Sequence, residues 1–244
     1  MLFTRIGKYF IFLGSLFARR EKMSVYLKLI IDESVSIGID SVFIVAIVST
    51  FIGAVTCVQT AYNLVSPLIP VYIISNIVRD STLLELAPTI TCVVLSGKVG
   101  SNIAGELGTM RITEQIDALE VMGINSSSYL VLPKMIAAMI TIPMLVILAA
   151  FLSILGGYLA GTLTRVITPE EYIYGIRYAF VPYNITFALV KSVVFAFLIA
   201  TISAYQGYNT RGGALEVGKA STSAVTNSCI AVLIADYFLA QLLL

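Results

Sequence analysis

The sequence predicts an all-α integral membrane protein, with an interfacial amphipathic helix at its N-terminus, five transmembrane helices, and a cytoplasmic helix between spans 2 and 3. Three observations predict this. Hydrophobic residues make up 58% of the 244 residues and charged residues only 12%, against about 25% charged in a soluble domain. The apolar residues gather into runs long enough to cross ~30 Å of hydrocarbon. Between two of those runs, residues 96–123 switch from a ladder of small residues to an amphipathic pattern with an acidic stripe. The formal net charge of +1 gives no general attraction for nucleic acid. The chain has no His, so the usual imidazole base and metal ligand are absent, and no metal site is expected. Cys57, Cys92 and Cys229 stand singly in apolar runs, where packing is the expected role.

Residues 1–40 read as an interfacial N-terminal segment. Leu2, Ile6, Tyr9, Phe10, Leu13 and Phe17 make a helical apolar stripe flanked by Arg5, Lys8, Arg19 and Arg20. A cleaved signal is the alternative, weakened by Lys8 in its apolar core and the lack of a small-x-small cleavage site. Residues 24–40 carry Asp32, Glu33 and Asp40 and read as too charged to span. The five-span body is residues 41–244, with spans at about 41–62, 82–105, 130–162, 183–205 and 222–244. Residues 64–78, broken by Pro67 and Pro70, read as an interfacial or re-entrant piece.

Basic residues orient the spans. Arg5, Lys8, Arg19, Arg20, Lys22, Lys28, Lys98, Arg111, Lys134, Arg211 and Lys219 fall on one side, so the N-terminus is expected in the cytoplasm and the C-terminus on the periplasmic side. Residues 163–182 are then outside the cytoplasm.

The stretch 96–123 carries most of the chemistry. Ser96, Gly100, Ala104 and Gly108 recur every four positions, and Gly97, Ser101 and Gly105 form a second row. On a helix both rows permit close backbone approach. Beyond them an amphipathic helix of about four turns is expected, with Thr113 as N-cap and Glu114 in its first turn. Ile112, Ile116, Leu119 and Met122 form its apolar stripe; Glu114, Asp117 and Glu120 form its acidic one, with Gln115 between them. Gly123 followed by Ile124 reads as a helix stop. A charged helix continuous with a tightly packed span suits contact with a soluble partner.

Two acids lie within apolar runs, Glu85 in LLELAPTI and Asp236 in IADYFLAQ. A charge inside a span is costly, so a part in a cavity or in gating is the working hypothesis for Glu85, with an interfacial position as the alternative; for Asp236 helix packing is favoured over a part in gating. Pro88 lacks an N–H and leaves the carbonyl of Leu84 without its helical partner. Gln59, Asn63 and Asn102 are expected to make interhelical hydrogen bonds. The near match to a phosphate-binding loop, GALEVGKA at 213–220, has Ala220 where a Mg²⁺-binding hydroxyl is needed and follows an apolar helix rather than a strand. It reads instead as part of a cytoplasmic turn over 207–222.

The run ELGTMRITEQIDALEVMG, residues 106–123, resembles the signature of the Mla-type lipid ABC-transporter permeases, and GYNTRGGALEVGKAST at 207–222 resembles a Gly-rich loop of the same family. The resemblance extends in weaker form from roughly residue 40 to the C-terminus. It implies a permease that forms a homodimer and joins two copies of a separate ATPase, which binds ATP and Mg²⁺; no cofactor belongs to this chain. It further implies a partner carrying an MCE domain, an inner-membrane location, and a phospholipid moved between inner and outer membranes. Residues 113–122 would be the ATPase-coupling helix. Where the family has Arg-Glu-Leu-Gly-Pro, this sequence has Leu84 and Ala87 in place of Arg and Gly, so Glu85 lacks that neighbouring partner. Two other classes fit the residues: an ion-coupled secondary carrier using Glu85 and Asp236, and a non-transporting membrane scaffold.

Overall fold

A computed structural model describes residues 2–16, 23–64 and 70–243. The expected apolar position Phe17 and the flanking Arg19, Arg20 and Lys22 lie outside the described residues, as do Pro67 and its neighbours. The described chain is helical throughout, without strands: α1 (Leu2–Leu16), α2 (Val25–Asn63), α3 (Ile73–Ile112), α4 (Gln115–Val121), α5 (Ser126–Leu163), α6 (Pro169–Arg177), α7 (Tyr183–Tyr208) and α8 (Ala214–Leu243). Five of them, α2, α3, α5, α7 and α8, are long and apolar enough to cross a membrane. They alternate in direction, so α1, α4 and the 209–213 turn gather at one end of the bundle and α6 and the end of α8 at the other.

Several boundaries differ from those expected. α2 is one helix of 39 residues, about 58 Å long, and takes in most of the charged segment at 24–40. Its π-helical stretch Val35–Ile39 lies just before the apolar run. α3 begins at Ile73, inside the piece expected to be re-entrant, and runs 40 residues to Ile112. Pro88 does not break it; the π-helical stretch Thr82–Ile90 absorbs the missing N–H. Only residues 209–213 of the expected turn at 207–222 are non-helical, and Lys219 sits within α8, paired with Glu216 at 2.7 Å. Glycine and polar content misled the reading there, because a helix packed among neighbours tolerates both.

Close backbone contact holds α2 to α5. A Cβ on Gly53 would stand 1.8 Å from the carbonyl oxygen of Ser153, and one on Gly156 2.1 Å from that of Thr50. With lipid outside, van der Waals packing rather than hydrophobic exclusion draws such helices together, and small residues maximise it. α3 packs on α7 and α8 around a core that includes Leu95, Ile103, Phe195, Ile199 and Val232. At the α6 end, Thr168 and Glu171 form a capping box for α6. The fully buried Arg79 guanidinium donates to the carbonyls of Ile176 and Tyr178 at 2.7 and 2.8 Å and pairs with Asp80.

α1 packs against the bundle through Tyr9, Phe12, Leu13 and Leu16, while Phe10 and Ile11 face outward. Phe12 lies between Tyr205 and Tyr208 of α7, with ring centroids 5.6 and 5.4 Å away. The cysteines are free, Cys57 and Cys92 fully buried and Cys229 partly so. Gln59, Asn63 and Asn102 are exposed and make no interhelical hydrogen bond among the described residues, contrary to expectation.

Gly156→Leu should force α2 and α5 apart and lower stability by about 1–3 kcal/mol or more, the cost of overpacking. Thermal unfolding in mild detergent measures this, and an unchanged midpoint would mean the α2–α5 contact is loose.

Candidate functional site

Three arrangements bring the candidate residues together. The first lies inside the bundle. Lys191 of α7 is fully buried, and its ammonium group reaches Glu85 of α3 at 3.0 Å and Asp236 of α8 at 2.5 Å. The same nitrogen donates to the Leu84 carbonyl at 3.0 Å, within the π-helical stretch that holds Pro88. The Thr89 hydroxyl donates to Asp236 at 3.0 Å, and the ammonium sits 4.8 Å from the Phe187 ring centroid. One base thus holds acids from two other spans. Glu85 does have a partner, then, though from α7 rather than from the adjacent position 84. Sequence reasoning misses Lys191, one of four basic residues, with Arg79, Arg165 and Arg177, outside the cytoplasmic set. Its signal was present, a single charge within NITFALVKSVVFAF. The Glu85 side chain is 46% exposed and faces an open groove of about 410 Å³ lined also by Ile77, Asp80, Ser81, Leu84 and Leu86. Asp80 and Ser81 bring polar groups down that groove from the α6 end.

The second arrangement is the small-residue ladder. A Cβ on Gly100 would stand 2.9 Å from Ser203 Oγ, one on Gly108 3.1 Å from Val217, and one on Gly207 of α7 2.6 Å from the Ala104 carbonyl. The row Ser96, Gly100, Ala104, Gly108 therefore lies against α7 and α8. Of the second row, Gly105 faces Ser221 of α8 at an ordinary 3.4 Å and Ser101 returns its hydroxyl to the Gly97 carbonyl. Gly97 has no neighbour within 4 Å of an added Cβ.

The third is α4. It is two turns long, not four. Thr113 does not cap it; its hydroxyl returns to the Thr109 carbonyl at 2.8 Å and closes α3. Glu114 takes the N-cap position with φ of +60°, a left-handed break between the helices. At the other end Gly123, φ +79°, ends α4 as expected, and the Ile124 amide donates back to the Leu119 carbonyl at 3.1 Å. The two stripes are not both free. Ile116 is fully buried within the chain and Leu119 half-buried; Val121 and Met122 are the exposed apolar residues, at 89% and 65%. Asp117 pairs with Arg111 at 2.6 Å. Glu120 accepts hydrogen bonds from Ser126 at 2.8 Å and Tyr208 at 3.0 Å. α4 is thereby tied to the ends of α3, α5 and α7, leaving Glu114, Gln115, Val121 and Met122 outward.

Similarity to known proteins defines the class first. The chain is 39% identical over 237 residues to a "Probable ABC transporter permease protein" of Rickettsia bellii, covering 97% of this chain and 91% of that one. A Synechocystis protein of the same description is 32% identical over 241 residues, covering 99% and 91%. An Arabidopsis thaliana chloroplast protein named TRIGALACTOSYLDIACYLGLYCEROL 1 is 36% identical over 157 residues, 64% of this chain and 45% of that one. The family model "Permease MlaE" matches residues 30–242, and the chain belongs to that family. It is thus a multi-pass permease of the ABC transporter class, which is not itself enzymatic and works with an ATPase partner.

Lys191→Met would strand two carboxylates in the bundle and should destabilise the protein by about 3 kcal/mol or more. Glu85→Gln leaves the Lys191–Asp236 pair in place and should cost under about 1 kcal/mol, since Glu85 is the more exposed partner. Denaturation of the two variants beside the parent tests the order; equal effects would show that Lys191 is not the anchor.

Proposed function

We propose that this chain is the permease subunit of a phospholipid transporter that moves lipid between inner and outer membranes, driven by a separate ATPase subunit. The observation that carries the reading is the two-sided character of α4. One side is locked to the ends of three spans by Arg111, Ser126 and Tyr208, and the other offers Val121 and Met122 to a partner. An exposed apolar pair beside fixed charges is what a docking surface needs. An element rigidly tied to spans can pass on a partner's movement. Lipid as cargo is supported by the groove at Glu85, apolar along most of its wall and polar toward the α6 end, and by the glycolipid in the name of the Arabidopsis relative.

In this reading two copies of the permease form a homodimer with two ATPase copies at the α4 end, and an MCE-domain protein meets the α6 end. The N-terminus faces the cytoplasm and the C-terminus the periplasm, across the inner membrane. Residues 1–40 form the interfacial unit and residues 41–244 the permease body. Glu85 and Asp236 shape a lipid cavity, and the ATP and Mg²⁺ chemistry belongs to the partner.

The test is on α4. Val121→Asp with Met122→Asp should abolish copurification of the ATPase and its lipid-stimulated hydrolysis while the permease still inserts, because neither side chain supports the fold. Retention of both at parental levels would remove α4 as the coupling element. Ile116→Asp does not make this test, since it places a charge in a fully buried position. On a cysteine-free background, Gln115→Cys should resist an impermeant thiol label applied outside the inner membrane and Glu170→Cys should react; the reverse pattern would invert the orientation.

A further inference from the structure

A second polar groove, of about 450 Å³, lies between α2 and α3, lined by Ser36, Asp40, Ser41, Lys98, Ser101 and Asn102 with Ile37 and Val99. Both helices are π-helical where they form it, at Val35–Ile39 and Ser96–Gly100. Such local widening of a helix recurs at functional sites. The Ser41 hydroxyl is fully buried and has no hydrogen-bond partner, alone in this among the described residues. A serine within a helix ordinarily returns its hydroxyl to a carbonyl three or four residues back, as Ser34 and Ser49 do. Ser41 follows the π-helical stretch and does not, which leaves a desolvated donor facing the groove.

The charges are as unusual. Lys98 makes no ion pair among the described residues; its ammonium group reaches only the backbone carbonyl of Asp40. The Asp40 carboxylate has no partner there either. A cation and an anion therefore line one groove without neutralising each other. The groove lies toward the α4 end, since the neighbouring Gly100 faces Ser203, near the last turns of α7. Away from it, Asp40, Ile44, Ile47, Phe51 and Val55 continue along one face of α2. These apolar residues are all exposed, and they lead to an apolar groove of about 240 Å³ lined by Phe51, Ile52, Val55 and Thr56.

We propose that the Lys98–Asp40 groove binds the zwitterionic phosphoethanolamine headgroup of a phospholipid in the leaflet at the α4 end. Lys98 and the Ser41 hydroxyl take the phosphate, and Asp40 takes the primary ammonium. An acyl chain runs along Ile44, Ile47 and Phe51. A soluble phosphorylated amine would satisfy the charges but would leave this apolar track unused. The proposal rests on the lipid-transport reading for the cargo class and adds a headgroup site distinct from the groove at Glu85.

The full-length protein is reconstituted in nanodiscs of equal phosphatidylethanolamine and phosphatidylglycerol, released, and its retained lipids weighed by native mass spectrometry. The parent should retain phosphatidylethanolamine in preference. Lys98→Gln should lower retained lipid by about tenfold, the order of one charge-assisted contact, and Lys98→Arg should restore it. Asp40→Asn should keep phosphatidylglycerol and lose the preference. Equal retention of both lipids by the parent, or the same lipids and amounts in parent and variants, overturns the site. Millimolar O-phosphoethanolamine should not displace the lipid; full displacement overturns the lipid as ligand and makes the soluble headgroup the occupant. The readout is independent of the ATPase. Charge-dependent preference in a chain that recruits no ATPase would sink the transporter reading and leave this site standing, and an ATPase-coupled chain without the preference would do the reverse.

Discussion

The structure depends on one buried amine. Lys191 has no water to hydrate it, and an isolated ammonium in a low-dielectric interior is prohibitively costly. Its three hydrogens therefore have to find acceptors within the bundle. Two are the carboxylates of Glu85 and Asp236, and the third is the Leu84 carbonyl. Each acceptor comes from α3 or α8, so the requirement of one side chain on α7 sets the rotation of both neighbours. A one-turn slip of any of the three helices would separate the charges by about 5 Å, at a cost no packing gain would offset.

The number and approximate placing of the spans were legible in the sequence because hydrocarbon thickness imposes a length and the lack of water imposes helicity. The ends of the helices were not. Asp32, Glu33 and Asp40 argued against a helix passing through 24–40, yet α2 does so, since a helix longer than the hydrocarbon can carry charges outside it. Glu33 is also neutralised by Lys134, a partner 101 residues away that no local pattern announces. The candidate site was half legible. The acids at 85 and 236 stood out against their apolar surroundings. Lys191 stood out equally but was counted only for orientation, which hid the pairing. In the 113–122 segment the heptad-like stripes are real, but periodicity says only which residues share a face. Whether that face meets solvent or the same chain is a tertiary fact: Ile116 is buried, and Val121, on neither stripe, is exposed.

A second clamp mirrors the first. Lys134 of α5, almost fully buried, is held by Glu33 of α2 and by Glu106 of α3, the latter at 2.7 Å. The two clamps share only α3, which supplies Glu85 to one and Glu106 to the other. Glycine contacts and the Lys134 clamp thus join α2 with α5, Lys191 joins α7 with α8, and α5 and α7 pack directly on each other. α3 belongs to both clamps. The small residues of its ladder face α7 and α8, while its clamp residues reach different neighbours, Glu85 toward α7 and Glu106 toward α5.

This arrangement gives α3 a mechanical role that follows from its connectivity. Its two clamp acids are 21 positions apart, about 32 Å along the axis, and its last turn carries Arg111, which pairs with α4. A push on α4 therefore enters α3 directly, and also α5 and α7 through Ser126 and Tyr208. A straight α-helix would transmit that push as a rigid rod. α3 is instead interrupted by π-helical stretches at Thr82–Ile90 and Ser96–Gly100. The first contains Glu85, and the second borders Glu106 and the ladder. These are the places where a helix changes its hydrogen-bond register at least cost. Movement arriving at the α4 end would be taken up first at Ser96–Gly100, where α3 meets α7, and then at Thr82–Ile90. There it would alter the rotation of Glu85 about the fixed amine. The ion triad on the α6 side of α3 and α4 beyond its other end are thus joined by the chain itself, with the π-helical segments along the path.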